Sequence, residues 1–390
     1  MDIPILAPSS RDHETVDKLH DLEERDRRKV RSKVFNVRDT TTTWRSWTVR
    51  ENIYKKNRNG LPTQARGLFT LDDVNAQYSI VVRGYDKFFN LHETDSTQWP
   101  SLKSDTKGPY YATAKENGCI IFIGALNAST AVVTSKHTLP IPQDDPTMHG
   151  GVGYRWLLRH LESVNLKESD LAAWIYKHKV TLVAELCDDQ FEEHVLRYDP
   201  KESGLYLHGI NYNTSSLRTL EFEKVQEIAR HFGFRSIDYD KYDTLDEVKA
   251  LADQIEESGK YKNRDIEGIV IRCKRDDKDF FFKIKNDHYL LFREYREITK
   301  SMIDVKDGQV SLKKDGKSPR CSYEKSVYYV QWLQMQIKEH PEWFKEYKNN
   351  KGILDVRERF EKFWDSGELH MLKGGDPIDI IDKSKRDAWK

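Results

Sequence analysis

The sequence predicts an α+β protein: antiparallel sheets flanked by helices over residues 1–300, then a small all-helical domain over 301–390. Three observations lead there. Short runs rich in Trp, Val, Phe and Tyr, broken by Gly, Asn and Asp, recur from Val34 onward. Longer stretches with apolar residues at helical spacing alternate with them. Beyond Asp287 strand signals give way to helical periodicity. At about 150 residues per domain, 390 residues give room for two domains or three.

From Arg11 to Lys33 charged residues dominate, and Val16, Leu19, Leu22 and Val30 give only sparse periodicity. Residues 1–34 therefore read as a charged N-terminal arm or surface helix. Strand signals follow at 43–50, 67–71 and 79–83, and segments 119–123 and 131–134 read as a hairpin. Helix is expected over 154–176, strand over 180–186, then helices over 217–232 and 245–258. In the last of these Leu245, Val248, Leu251 and Ile255 share one face. Strands at 268–272 and 279–285 precede a helix at 289–303. A polar linker at 304–322 leads to helices at 323–338 and 353–364.

Composition excludes several classes. The 64 basic and 64 acidic residues cancel, so nucleic-acid contact must come from local patches rather than a global field. No apolar run approaches the roughly 20 residues a membrane span needs. Nine Trp, 19 Tyr and 16 Phe are more than a disordered chain carries. Cys119, Cys187, Cys273 and Cys321 lie far apart without zinc spacing, which fits a reducing compartment. Met1 to Ser10 lack a secretory pattern, so an intracellular protein of cytoplasm or nucleus is expected.

Three segments bear on chemistry. Lys115-Glu116-Asn117-Gly118 precedes the apolar run at Cys119, and Gly118 lets backbone approach a ligand there. Glu267 opens a hydrophobic strand. Lys283 and Lys285, two apart in another strand, point to one face. Separately they read first as a surface-loop lysine and an edge strand guarded by lysines. Together they suit attack of a neutral lysine amine on an NTP α-phosphorus. Nearby cations and desolvation favour that neutral amine, and fixed cations meet the developing phosphate charge. In this order Lys115, Glu267, Lys283 and Lys285 resemble motifs of the covalent nucleotidyltransferases, the superfamily of DNA ligases, RNA ligases and mRNA capping enzymes.

A narrower resemblance rests on more residues. Ala65-Arg66-Gly67-Leu68-Phe69, Arg83-Gly84-Tyr85-Asp86-Lys87-Phe88-Phe89-Asn90 and Lys115 through Phe122 resemble the ligase domain of fungal tRNA-splicing ligases. So do Ser135-Lys136-His137, Ala184-Glu185-Leu186-Cys187-Asp188-Asp189, Leu205-Tyr206-Leu207-His208-Gly209 and the run from Arg293 to Lys300. The resemblance covers about 45–300 and weakens on either side. It implies a nucleotidyltransferase (ATP-grasp-like ligase) domain, ATP as the source of a covalent AMP on Lys115, and Mg²⁺. Arg66, Lys87 and Phe89 would line the ATP site, with Lys87 near phosphate and Phe89 near the nucleoside. Gly118, Lys136 and Glu185 would complete it, with Glu185 near ribose or metal. Glu267 would position metal and lysine, and Lys283 and Lys285 would clamp the α-phosphate.

Arg293 and Arg296, three apart on a helix, are neighbours and form a fork suited to a terminal phosphate. The resemblance makes them candidate readers of a 2′-phosphate, with His208 as a third; ion pairs to Glu294 or Glu297 and a core histidine are the alternatives. The implied substrates are tRNA exon halves with 2′-phosphate, 3′-OH and 5′-phosphate ends, and the implied partners include a spliced stress-response mRNA. A monomer is expected. Lys313, Lys314, Lys317 and Arg320 are candidate phosphate contacts. Other signals carry less. His13-Glu14-Thr15 and His92-Glu93-Thr94 lack facing strands, and Gly316-Lys317-Ser318 has Ser311 where a phosphate loop needs its first Gly. Asp188, Asp189, Glu192 and Glu193 read as an acidic surface run or a metal site. Full-length family members add kinase and phosphodiesterase domains, which these motifs do not supply, so the ligase domain alone is expected. A GTP-using capping enzyme and a non-catalytic RNA-binding module are the competing readings.

Overall fold

The computed structural model describes residues 2–7, 9–56, 58–72, 78–313 and 319–368. The chain divides into two compact units. The first takes Met1–Cys187, Ser203–Ala250 and Val270–Ile284; the second takes Asp188–Glu202, Leu251–Ile269 and the chain from Lys285. The division thus falls before the helix at 289–303, not after it. Two earlier segments also join the second unit.

In the first unit the charged arm is a docked helix. Ser9 caps α1 (Ser10–Arg25), its Oγ accepting from Arg11 N at 3.2 Å while Asp12 accepts from Ser9 N. Val16 and Leu19 are buried with Trp47, Val49, Ile53 and Leu68. Beyond the helix, β1 (Val30–Asn36), β2 (Thr43–Val49), β3 (Leu68–Asp72) and β4 (Tyr78–Arg83) form an antiparallel sheet in sequence order. The short α2 (Glu51–Tyr54) follows β2.

Next come β5 (Phe89–Asn90), α3 (Trp99–Asp105), β6 (Thr106–Lys115), β7 (Cys119–Asn127) and β8 (Thr130–Ser135). Strand β6 carries Lys115 and was masked in the sequence by Pro109, a residue that argues against a strand. The helix expected over 154–176 is two, α4 (His149–Ser163) and α5 (Glu168–His178), parted where Asn165 takes a φ of 58°. Then β9 (Val180–Cys187) and β10 (Gly204–Tyr212) join β7 and β8 in a sheet of order β10-β9-β7-β8. After α6 (Phe222–His231) come β11 (Tyr239–Tyr242), α7 (Leu245–Ser258), and the short pair β12 (Lys260–Tyr261) and β13 (Arg264–Asp265). A third sheet, β11-β6-β14-β15-β5, is completed by β14 (Gly268–Arg275) and β15 (Lys278–Lys285). Phe35, Trp44, Phe69, Tyr85, Phe122, Val183, Val270 and Phe281, drawn from all three sheets and their loops, form one core.

The second unit holds α8 (Asp287–Met302), then β16 (Ile303–Lys306) and β17 (Gln309–Leu312), where a polar linker was expected. Asp307 and Gly308 both have positive φ, 50° and 73°, the two-residue Asp-Gly turn that joins a right-twisted hairpin. The unit is therefore helical with a hairpin, not all-helical. With α9 (Glu324–Glu339) and α10 (Ile353–Asp365) it packs around aromatics: Tyr295 stacks on Tyr329 at 4.3 Å, and Phe360 meets Tyr329 edge-on at 4.9 Å. The acidic run serves this unit structurally. Asp189 Oδ2 accepts from Tyr198 N at 2.7 Å, Glu193 accepts from Leu354 N, and Glu192 accepts from Asn350. Burial, opposed by the Tyr198 bond and aided by Glu193, moves the Asp189 carboxyl up to about 6.

Because Leu19 is only 1% exposed, Leu19→Ala should lower the unfolding free energy in urea by about 2–5 kcal/mol. A solvated arm would show no change.

Candidate active site

Lys115 ends β6 and opens on a cavity of about 280 Å³ lined entirely by the first unit. The strand explains the placement. Tyr111 and Thr113 pair with β11 while Thr113 Oγ1 donates to Val270 O at 2.9 Å, so the end of β6 is held from two directions. The turn after it is tight. Gly118 N donates to Glu185 Oε1 at 3.2 Å, and a Cβ on Gly118 would stand 2.1 Å from the Leu186 carbonyl oxygen. Glu116 and Asn117 are buried beside it.

One wall comes from the segment after β4. Arg66 N donates to Tyr85 O and Lys87 N donates to Gln64 O, pairing the two stretches that carry Arg66 and Lys87. Both cations line the cavity, as do Tyr85 and Phe88. Phe88, and not Phe89, occupies the place expected for the aromatic. In the extended chain Phe89 takes the opposite side, pairs with Phe282 in the third sheet and packs with the α1 core. Lys283 on β15 completes this wall, its Nζ 5.6 Å from the Phe88 ring centre.

The opposite wall is a polar group on β9 and β10. Glu185, paired with Ile120, lies with Oε2 3.8 Å from His208 Nε2. His208 sits at a bulge between Leu207 and Gly209 that turns its ring toward Tyr85. Tyr85 Oη is 3.0 Å from His208 Nδ1 and 2.9 Å from the His208 carbonyl oxygen. Only glycine fits at 209, where a Cβ would meet Tyr85 Oη at 1.8 Å. Burial pushes the His208 imidazole down, against the upward pull of Glu185, and burial pushes the Tyr85 phenol up.

Arg272, which no sequence argument singled out, lines the same cavity. It is 7% exposed, lies among the rings of Phe222, Phe281 and Tyr85, and among the described residues its Nη1 has no hydrogen-bond partner. Its signal was available: a charged side chain that directly follows the apolar run Ile269-Val270-Ile271 within one strand. Tyr85 and Phe88 were quoted only as part of a longer run, and nothing marked Glu51. That residue binds Arg66 Nε at 2.7 Å, Lys87 Nζ at 2.9 Å and Lys136 Nζ at 3.4 Å. Burial works to raise its carboxyl, but the hydrogen bond from Lys87 and the charge of Arg66 outweigh it and hold it at about 2.

The structure thus gathers Lys115, Arg66, Lys87, Glu185, His208 and Lys283 around one cavity, with Gly118 and Lys136 adjoining through Glu185 and Glu51. Glu267 lies just before β14, buried, its carbonyl accepting from Asn286 N at 3.1 Å, and Lys285 ends β15. Both belong to the second unit, as do Arg293 and Arg296 on α8. Arg293 lines a groove there with Arg320, Glu294 and Glu297, while Arg296 donates to Glu297 Oε1 at 2.8 Å. Lys314, Lys317 and the Gly316-Lys317-Ser318 stretch lie outside the described residues.

A family model described as RNA ligase matches residues 64–291, which include the residues lining the Lys115 cavity together with Gly118, Lys136, Glu267 and Lys285. The chain belongs to the RNA ligase family. It is 40% identical over 357 residues to "tRNA ligase 1" of Schizosaccharomyces pombe, covering 85% of this chain and 44% of that one. It is 39% identical over 341 residues to "tRNA ligase" of Candida albicans, covering 81% and 40%. The chain therefore spans less than half the length of these curated relatives. Among solved structures it is similar to an archaeal ATP-dependent RNA ligase, with 14% identity and a TM-score of 0.47 over 90% of this chain and 79% of that one.

With the Leu186 carbonyl in the way, Gly118→Ala in this RNA ligase chain should cost about 1–3 kcal/mol in urea unfolding. An unchanged midpoint would show that the turn after Lys115 can give.

Proposed function

We propose that the chain is the ligase part of a fungal-type tRNA ligase that uses ATP and Mg²⁺ through a lysyl-AMP. The observation that carries this reading is Lys115 at the mouth of a cavity lined by Arg66, Lys87 and Lys283, with Glu185 opposite. The cations favour the neutral amine and receive phosphate charge. Lys115 Nζ attacks the α-phosphorus, an N–P bond forms, and the P–O bond to the β-phosphate breaks with its electron pair leaving on pyrophosphate. The AMP then passes to an RNA 5′-phosphate, freeing the lysine. A 3′-OH attacks that phosphate, joining the strands and releasing AMP.

Glu185 in the first unit and Glu267 in the second each offer carboxylate oxygens of the kind Mg²⁺ takes. An ion held by Glu185 at the cavity would neutralise phosphate charge. Lys285 would act beside Lys283 on the α-phosphate, and Gly118 would let the backbone close on the nucleotide. Phe88 replaces Phe89 as the proposed nucleoside contact. Arg293 and Arg296 are the proposed readers of a 2′-phosphate on the upstream exon half, since two guanidiniums on one helical turn suit a dianion, and His208 in the Lys115 cavity is a separate candidate for the RNA end. The tRNA substrates, the spliced stress-response mRNA and a monomeric state belong to the same proposal, supported by the likeness to the two fungal relatives.

Incubation with α-labelled ATP or GTP and Mg²⁺, followed by denaturing electrophoresis, tests it. Label from ATP but not GTP, absent in Lys115→Ala, is expected. The same protein should seal tRNA halves that carry a 2′-phosphate and leave 2′-OH ends unjoined. Labelling by GTP alone, or sealing indifferent to the 2′ group, would overturn the corresponding part.

A further inference from the structure

Glu51 is bonded to three cations on three separate stretches of the chain. As the first residue of α2 it accepts from Arg66 Nε at 2.7 Å and Lys136 Nζ at 3.4 Å on Oε1, and from Lys87 Nζ at 2.9 Å on Oε2. Helix α2 is fixed against the same segment, since Tyr54 Oη donates to Ala65 O at 2.9 Å. One carboxylate cannot neutralise three cations. The cluster stays positive, and its neighbours register that field. Burial and the charges of Lys136 and Arg66 push the His137 imidazole down to about 4, and burial with the Arg66 charge pushes the Lys136 amine down.

The geometry leaves the useful donors open. Glu51 takes Arg66 by Nε, and among the described residues no hydrogen bond is made by the two terminal guanidinium nitrogens. Each lysine amine has three protons and gives one to Glu51. Arg66 and Lys87 both line the Lys115 cavity. A polyanion entering there therefore meets donors already drawn together, without first overcoming their mutual repulsion or ordering two long side chains.

We propose that Glu51 is a positioning residue that gathers Arg66, Lys87 and Lys136 into a receiving site for the β- and γ-phosphates of ATP and the pyrophosphate that leaves. The proposal rests on the lysyl-AMP reading above. It has a consequence that a general structural role lacks: β- and γ-phosphates take part only in forming lysyl-AMP and in its reversal. Sealing of RNA that is already adenylated involves neither, so loss of Glu51 should divide the reaction sequence.

Glu51→Gln keeps the shape and removes the charge. For wild type and variant, lysyl-AMP formation is followed against ATP concentration, discharge of lysyl-AMP against pyrophosphate concentration, and sealing against pre-adenylated RNA. The ATP and pyrophosphate concentrations for half-maximal rate should each rise about tenfold, the lower end of what removing a residue that orients a metal ligand costs. Sealing of pre-adenylated RNA should stay within about twofold. Glu51→Asp restores the charge with shorter reach and should fall between, and it carries the same comparison if the Gln variant does not fold. Unchanged ATP and pyrophosphate dependence would overturn the proposal, as would equal loss in all three assays. Tighter ATP or pyrophosphate dependence would also overturn it, showing that the carboxylate competes with phosphate. A wild type that takes no label fails the lysyl-AMP reading itself, whereas a labelled wild type with an unaltered variant fails only the role of Glu51.

Discussion

The guanidinium of Arg83 has no exposure to water, and the active-site wall depends on how its charge is met. Nε donates to Thr214 O at 3.0 Å, Nη1 to Gly84 O at 2.7 Å, and Nη2 to Asp86 Oδ1 at 2.6 Å and Ser215 O at 3.2 Å. Its backbone is held as well, N by Thr181 and O by Asn211. A buried charge missing one such partner is destabilising by several kcal/mol, so this arrangement has few alternatives. Arg83 thereby fastens the end of β4 to β9 and to the loop after β10. The next residues, from Tyr85 to Phe88, line the Lys115 cavity.

From this anchor the site extends through close backbone approaches. Gly118 and Gly209 stand where no side chain fits, one against the Leu186 carbonyl and the other against Tyr85. The bulge at Gly209 sends His208 toward Tyr85 and Glu185. The charge on the two walls differs. Arg66, Lys87 and Lys283 make one cationic, while the other holds a carboxylate and an imidazole, the imidazole 3.0 Å from the Tyr85 hydroxyl that reaches across. A chain with net charge +0 conceals this, because the cations are concentrated by folding and not by sequence.

Much of the candidate site was legible because its residues sit at or near strand ends. Lys115 before an apolar run, Glu267 before another, and Lys283 two positions from Lys285 stand out locally. What was not legible depends on tertiary packing. Arg272 looks like the first of three basic residues ending a strand until Phe222, Phe281 and Tyr85 surround it. Glu51 is an ordinary acid until Arg66, Lys87 and Lys136 arrive from 15, 36 and 85 residues away. Phe88 and Phe89 differ only in which side of the extended chain faces the cavity. Helix α1 was legible only as an arm or a surface helix because its two buried apolar residues, Val16 and Leu19, make a faint stripe among charges, yet they suffice to dock it when Trp47 lies beneath. The hairpin of β16 and β17 is different: its Asp307-Gly308 turn was readable, and the polar residues around it hid the strands.

The central claim is that Lys115 itself takes AMP. Peptide mapping by mass spectrometry, on protein first stripped of AMP with pyrophosphate and then incubated with ATP and Mg²⁺, tests it directly. One AMP on the peptide containing Lys115, removed again by pyrophosphate, is the expected result. AMP on another residue, or none on a folded protein, would contradict the account.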